Sequence, residues 1–366
     1  MHRSRLWIVG FVLVFLLSGC KTNGAAESPN SDRSQKEENT GNHVSEEDSA
    51  KEKAEREIFA MDTYMTVTAF GTDAQAAVDA AAAEIERLDL LLSTGNGESE
   101  VATLNQTGAG TLTKDTAVLM ERSMELYDAT GGMFDIAVYP VMEEWGFTTE
   151  EYRVPEAEEL ENLLPLIDAS KIQYDEEKAR VTFMQPGMKI DFGGIAKGYT
   201  SGRVADILRE YGIQSAMINL GGNVQVMGTK TDGSKWRIAI QSPDNEEEYI
   251  GVLEGADLAV ITSGGYERYF EQDGKTYHHI IDPRTGYPAE NGLKSVTIVS
   301  PDGTLADGLS TSLFIMGPEK AVAFWRKHAE EFDAVLVDDE GHISVTEGIA
   351  DSFTSDFEVQ VIRKEG

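Results

Sequence analysis

The chain has 366 residues, enough for one large domain or two ordinary ones, and its 41% apolar content, with 14 Phe, 4 Trp and 12 Tyr, supplies a core. With 31 basic against 64 acidic residues the formal charge is −33, which repels polyphosphates and nucleic acid at long range and sets a nucleic-acid-binding role aside. A single cysteine, Cys20, excludes disulfides within the chain and cysteine-built metal sites, so an anionic ligand needs backbone amides, a metal ion or a few placed cations.

Arg3 and Arg5 precede an apolar run from Leu6 to Leu17, too short to span a bilayer as a mature helix, and Leu17-Ser18-Gly19-Cys20 follows. Residues 1–20 read as a signal peptide whose small residues before a cysteine resemble a bacterial lipobox. An ordinary signal peptide and an N-terminal anchor helix are the other readings. Lipidated at Cys20, the mature protein is expected to be extracytoplasmic and anchored to a bacterial cell membrane. Lys21 gives no cue to which membrane of the envelope. Residues 21–57 hold no aromatic residue and mix Ser, Asn, Glu and Lys. Such a segment buries too little apolar surface to offset its ordering entropy, and predicts a disordered acidic and polar tether. The functional domain is expected over 58–366.

From Ile58 the pattern is mixed. Thr63 to Phe70 reads as a strand, and Ala74, Val78, Ala81, Ile85, Leu88 and Leu92 recur at helical spacing. A second helix is predicted over 115–130, ending at Gly131-Gly132. Residues 149–180 are acidic and irregular, and predict an insertion carrying a short helix. A turn at Gly193-Gly194 opens a helix running to Tyr211. Short strands follow at 215–220, 223–228, 236–241, 258–262, 276–281 and 295–300. Helices at 304–316 and 318–330 precede closing strands near 333–337 and 357–363. Helices flanking hairpin-like strands without βαβ alternation predict an α+β fold with a largely antiparallel sheet.

Three constellations carry chemistry. In Ala306-Asp307-Gly308-Leu309-Ser310-Thr311, Asp307 and Thr311 stand four apart on one helix face, while Leu305, Leu309, Leu313 and Met316 occupy another. A carboxylate and a hydroxyl offer hard oxygens suited to Mg2+. The same residues also suit an ordinary helix start, with Asp as a first-turn charge and Thr bonding locally. In Asp191-Phe192-Gly193-Gly194-Ile195-Ala196-Lys197-Gly198 a strand meets a Gly-Gly turn and a helix with Lys197 in its first turn. Amides there plus one ammonium make a pyrophosphate cradle, or a tight turn that needs glycine for steric reasons. In His278-His279-Ile280-Ile281-Asp282-Pro283-Arg284-Thr285-Gly286 the alternation along 277–281 predicts a strand running into a turn, with a histidine placed to handle a proton or merely to sit on a surface strand. Gly-rich stretches at Gly131-Gly132-Met133-Phe134-Asp135 and Thr262-Ser263-Gly264-Gly265-Tyr266 let backbone approach a planar ligand, with Phe134 and Tyr266 able to pack on it.

Read in order over residues 58–345, these segments resemble the ApbE family of FAD:protein FMN transferases. The likeness runs through Met61-Asp62-Thr63, Ser99-Glu100 with Leu104-Asn105, Gly132-Met133-Phe134-Asp135 with Trp145-Gly146-Phe147, and the 191–198 segment. It continues through Asn219-Leu220-Gly221-Gly222, Thr262-Ser263-Gly264, the 279–286 segment and the 306–311 segment. The resemblance implies a T-fold-like α+β domain. It implies Mg2+ held by Asp307, Thr311 and the Ala196 carbonyl, with FAD as substrate. Met61, Phe134, Asp135, Gly193, Lys197, Ser263 and Gly264 would line the dinucleotide pocket, and His279 stands where the family has a histidine linked to activity. The implied partner is an acceptor flavoprotein whose Thr or Ser, in a short Asp-x-x-Thr/Ser-Gly-Ala type target, attacks the FMN-side phosphorus with AMP leaving. A pyrophosphatase releasing FMN and AMP, and a non-catalytic flavin-binding lipoprotein, are the alternatives. One departure stands out: many relatives carry an aromatic residue two positions after the serine matching Ser93, and here that position is Gly95. Either the flavin ring is held less tightly, or Tyr64, Tyr266 or a partner residue covers it.

Overall fold

The computed structural model describes residues 52–365. The expected signal peptide, Cys20 and residues 21–51 of the expected tether lie outside that range. Strand β1 (Lys53–Ala60) pairs antiparallel with β2 (Thr63–Phe70), Ile58 opposite Met65 and Ala60 opposite Thr63. Residues 53–57 are therefore strand, a correction to the tether boundary at 57. Their charges suit a sheet edge that meets water, while Ala54 and Ile58 bury the inner face.

Helix α1 (Ala74–Leu92) follows, then α2 (Glu100–Thr107), β3 (Ala109–Thr111), α3 (Lys114–Thr130), α4 (Tyr139–Glu144), α5 (Ala157–Leu163), β4 (Ile172–Asp175), β5 (Arg180–Phe183) and α6 (Ala196–Glu210). Next come β6 (Ser215–Leu220), β7 (Asn223–Met227), β8 (Trp236–Gln241), β9 (Tyr249–Gly255), β10 (Leu258–Gly264), β11 (Tyr269–Gln272), β12 (Lys275–His278) and β13 (Leu293–Ser300). Helices α7 (Gly303–Met316) and α8 (Pro318–His328) precede β14 (Asp333–Asp338), β15 (Ile343–Thr346), β16 (Phe353–Thr354) and β17 (Val359–Ile362).

The main sheet has the order β1-β2-β6-β7-β10-β13-β14-β15-β17. Its pairs are antiparallel except β15 with β17, so the α+β reading with a largely antiparallel sheet holds. One face carries helices. Ala74, Ala77, Val78, Ala81 and Ala82 of α1 are small enough to lie close on Ile58, Met65 and Val67, and Val204, Ala205 and Leu208 of α6 complete that core. Further along, Ala259, Ile261, Val296, Ile298, Ala334 and Leu336 pack under α7. The alternate residues Val260, Val299, Val335 and Val337 point the other way, onto Trp236, Ile238, Ile240 and Leu253 of the small sheet β16-β9-β8. The central strands are thus covered on both faces by the period-2 rule. Among the described residues no helix is long and apolar enough to cross a membrane.

The expected irregular insertion at 149–180 is more ordered than predicted: β4 and part of β5 fall in it and join β3 in a three-stranded sheet. The strand predicted over 276–281 stops at His278, because β12 pairs only with the short β11. Beyond it His279–Ile281 bends into the turn, and Ile281 bridges Pro288.

Candidate functional site

One end of the main sheet gathers the residues singled out by sequence. The β1–β2 hairpin turns there at Met61-Asp62, both with positive φ (49° and 58°), as a tight two-residue hairpin turn requires. Beside it the β6–β7 hairpin turns at Gly221-Gly222; a Cβ at Gly221 would stand 2.4 Å from Thr63 Oγ1, so only glycine lets the two turns touch. The Gly264 end of β10 lies at the same edge, since Val260 pairs with Val224. On the helix face α6 crosses α7 at Gly198, where a Cβ would stand 2.1 Å from the Gly303 carbonyl oxygen and 2.7 Å from Asp307 Cβ.

That close crossing sets Asp307 against the first turn of α6. Its Oδ2 accepts from the Gly198 amide at 2.8 Å and its Oδ1 from the Asn223 side-chain amide at 2.9 Å. The residue is 5% exposed. Burial pushes its carboxyl above the ordinary value, opposed by the charge of Lys197, the amides of Gly198 and Lys197, and Asn223. Among the described residues, every hydrogen bond to it comes from a neutral N–H. A buried carboxylate without a bonded cation calls for one.

The other two predicted donors are adjacent. Thr311, one turn along α7, lies 3.2 Å from Ser263 Oγ. Ser263 Oγ is in turn 2.8 Å from Ser310 Oγ, which donates to the Asp307 carbonyl at 2.8 Å. The Ala196 carbonyl, at the start of α6, accepts from Thr200 Oγ1 at 2.7 Å. Carboxylate, hydroxyl and carbonyl make an all-oxygen set, which fits a hard divalent cation such as Mg2+. The trio Asp338, Glu340 and His342, the first half-buried and the others exposed, shares no residue with this site, nor does a groove of about 510 Å3 between α8 and strands β14, β15 and β17.

The expected amide cradle is a correction. The Gly193 amide donates to Asp191 Oδ1 at 3.0 Å, the Ala196 amide to the Phe192 carbonyl at 2.8 Å, and the Gly198 amide to Asp307. The helix start is already occupied by the protein's own carboxylate, so what Lys197 brings to an anion is its ammonium.

The remaining pocket residues divide in two. Met61 is anchored by its amide on Asp89 Oδ1 at 3.0 Å, and its Sδ lies 4.0 Å from Thr200 Oγ1, placing it beside Ala196. Ser263 and Gly264 end β10 next to Thr311, and Tyr266 folds back over Gly264, where a Cβ would stand 2.3 Å from its ring. Phe134, by contrast, is buried between Gly194 and Gly308, so its ring supports the glycine turn instead of stacking on a ligand. Asp135 accepts from the Ala137 amide at 2.8 Å and the Ala169 amide at 3.2 Å, tying two loops together. Near Gly95, Ser93 Oγ accepts from the Asn96 amide at 3.1 Å and closes a turn. Tyr64 lies edge-on to Phe59 with centroids 5.1 Å apart and is largely exposed.

The two histidines differ. His278 Nδ1 accepts from the Ile280 amide at 3.2 Å, so Nε2 carries the hydrogen it donates to the Ala289 carbonyl at 3.0 Å; both nitrogens are engaged. His279 Nδ1 stands 3.1 Å from the Arg268 carbonyl, an acceptor only, so Nδ1 is the protonated nitrogen and Nε2 keeps a lone pair. Burial, then the charge of Arg268, lowers its pKa to about 3, which keeps the ring neutral at physiological pH. Glu267, which sequence reasoning passed over, is exposed, yet the protein packed around it raises its carboxyl, with the charge of Lys197 opposing and that of Asp307 reinforcing. Lys197 is the charge shared across one cleft, acting on Asp307, Glu267 and His279.

Comparison with known proteins bears on the family and the fold. Residues 61–336 match the model of the ApbE family. A FAD:protein FMN transferase of Klebsiella pneumoniae is 37% identical over 257 residues, covering 69% of this chain and 79% of its own length. One from Treponema pallidum is 31% identical over 284 residues, covering 73% and 78%. Among solved structures, an ApbE protein of Thermotoga maritima superposes with a TM-score of 0.77 at 32% identity over 82% of this chain and 99% of its own. The flavin transferase ApbE of Vibrio cholerae does so with a TM-score of 0.74 at 28% identity, over 82% and 99%.

Proposed function

The chain belongs to the ApbE family, and from that premise we propose that it is a Mg2+-dependent FAD:protein FMN transferase that esterifies a Thr or Ser hydroxyl of an acceptor flavoprotein and releases AMP. The observation that carries the metal dependence is the Asp307 carboxylate, buried and bonded to neutral N–H groups with the oxygens of Thr311 and Ala196 beside it. When bound, Mg2+ supplies charge neutralisation on the pyrophosphate oxygens for an in-line displacement.

The chain's own residues do the rest. Lys197 places its ammonium in the same cleft, which offsets the molecule's acidic field where the dinucleotide enters. Met61, Ser263 and Gly264 border that cleft. The acceptor hydroxyl oxygen forms a bond to the FMN-side phosphorus as the bond to the AMP oxygen breaks. The hydroxyl proton passes to His279 Nε2, which the Nδ1 bond to the Arg268 carbonyl leaves with a lone pair. The protein acts outside the cytoplasm, anchored to the bacterial membrane through a lipid on Cys20, where its acceptor is an exported or membrane redox protein.

The test is FMN transfer to a protein carrying an Asp-x-x-Thr-Gly-Ala segment, with FAD and Mg2+. Asp307→Ala should lower the rate about a thousand-fold, the loss of several kcal/mol of charge stabilisation, and EDTA should do the same to the wild type. Undiminished transfer by Asp307→Ala would overturn the metal reading.

A further inference from the structure

Three hydroxyls join Asp307 to Thr311, and their hydrogens can be counted. The Asp307 carbonyl accepts only, so the hydrogen of Ser310 Oγ is committed to it across 2.8 Å. Ser310 Oγ has no second hydrogen, so the 2.8 Å contact with Ser263 Oγ is a donation from Ser263. Ser263 has then spent its own hydrogen, and the 3.2 Å contact with Thr311 Oγ1 is a donation from Thr311. The chain has one direction. Its end is a threonine oxygen whose hydrogen is turned toward β10, leaving only lone pairs for the cleft.

The carboxylate is treated alike. Asn223, 2% exposed on β7, holds Oδ1, while the Gly198 amide holds Oδ2. With the Lys197 amide also donating to it, the carboxylate still has a lone pair to offer. No hydrogen is left to point at a cation from either residue. Outer-sphere partners that fix ligand orientation in this way typically govern metal affinity by about ten-fold or more.

We propose that Ser310 and Ser263 form a one-way hydroxyl relay that presets Thr311 as a lone-pair donor to the divalent cation, making both serines positioning residues for metal binding. This rests on the metal reading of the site. Ser310 itself is fully buried and reaches no ligand, so its part is played through Ser263.

The test is titration of the full chain with Mn2+ alone, with free Mn2+ read by electron paramagnetic resonance. Ser263→Ala leaves the Thr311 hydrogen without its acceptor, and Ser310→Ala lets Ser263 turn its hydrogen back onto Thr311. Each should weaken Mn2+ binding about ten-fold, and Ser263→Thr, which keeps the hydroxyl, should restore it. Ser312→Ala is the control: it removes another buried α7 hydroxyl, bonded to the Gly308 carbonyl at 2.6 Å and outside the relay, and should leave Mn2+ binding unchanged. Wild-type affinity in both Ser263→Ala and Ser310→Ala overturns the relay while the metal site stands. Equal weakening in Ser312→Ala overturns it too, by reducing the effect to general loosening of α7. No Mn2+ site in the wild type removes the metal reading and the relay together.

Discussion

Two neighbouring histidines have opposite prospects because of where each nitrogen points. His278 uses both nitrogens in backbone bonds, whereas His279 engages only Nδ1 among the described residues and feels the charge of Lys197. His279→Gln should lower the transfer rate about a hundred-fold or more while FAD affinity, followed by flavin fluorescence, stays near wild type. His278→Gln should act on stability instead, read as a lower Tm. Asp135 makes a different prediction. Burial lifts its carboxyl to about 6 from an ordinary 3.8, its two amide bonds opposing only in part. The folded chain thus holds a proton there that the unfolded chain has released, so this contribution to stability is present below pH 3.8 and lost as pH rises through about 6. Relative to Asp135→Asn, which does not titrate, the wild type should lose up to about 3 kcal/mol between those limits, measured by urea unfolding. At this scale the nearness of Asp307 and Thr311 was legible because a carboxylate and a hydroxyl four apart on a helix advertise a shared face. Asn223 and Ser310 were not. A buried amide on a strand has no periodic signal, and its partner Asp307 lies 84 residues away.

Helix α6 shows how the elements hold those residues. Its Gly198 meets the Gly303 carbonyl across a gap that no Cβ fits, whereas Gly202, one turn on, meets nothing within 4 Å. Gly198→Ala should cost about 3 kcal/mol and separate the Gly198 amide from Asp307, weakening the metal site as well. Gly202→Ala, a helix-interior glycine with open space, should stabilise by about 0.5–1 kcal/mol. Thermal unfolding of the pair separates packing from propensity on a single helix. The strands at β6, β10 and β13 were readable as apolar runs bounded by turns, since both faces of the central sheet are covered. The strands missed were short or polar-faced. β1 hides its three inward residues among four charges, β9 alternates against glycines, and β4 and the start of β5 lie in an acidic segment.

For the molecule as a whole, a chain of formal charge −33 that handles a dianionic dinucleotide must reverse its field locally. Sheet topology does this by bringing the β1–β2 turn, the β6–β7 turn, the end of β10 and the crossing of α6 with α7 to one edge. Ordered motifs made that convergence predictable from sequence. The direction of the Gly198 amide was not, because the carboxylate that accepts its hydrogen comes from α7, more than a hundred residues later. Transfer is tested most directly by mass spectrometry. The full chain is incubated with FAD, Mg2+ and a protein bearing an Asp-x-x-Thr-Gly-Ala segment. An acceptor heavier by one FMN, with one AMP released for each and none formed in EDTA, is the predicted result. An unmodified acceptor contradicts it, whether free FMN and AMP accumulate or FAD stays intact.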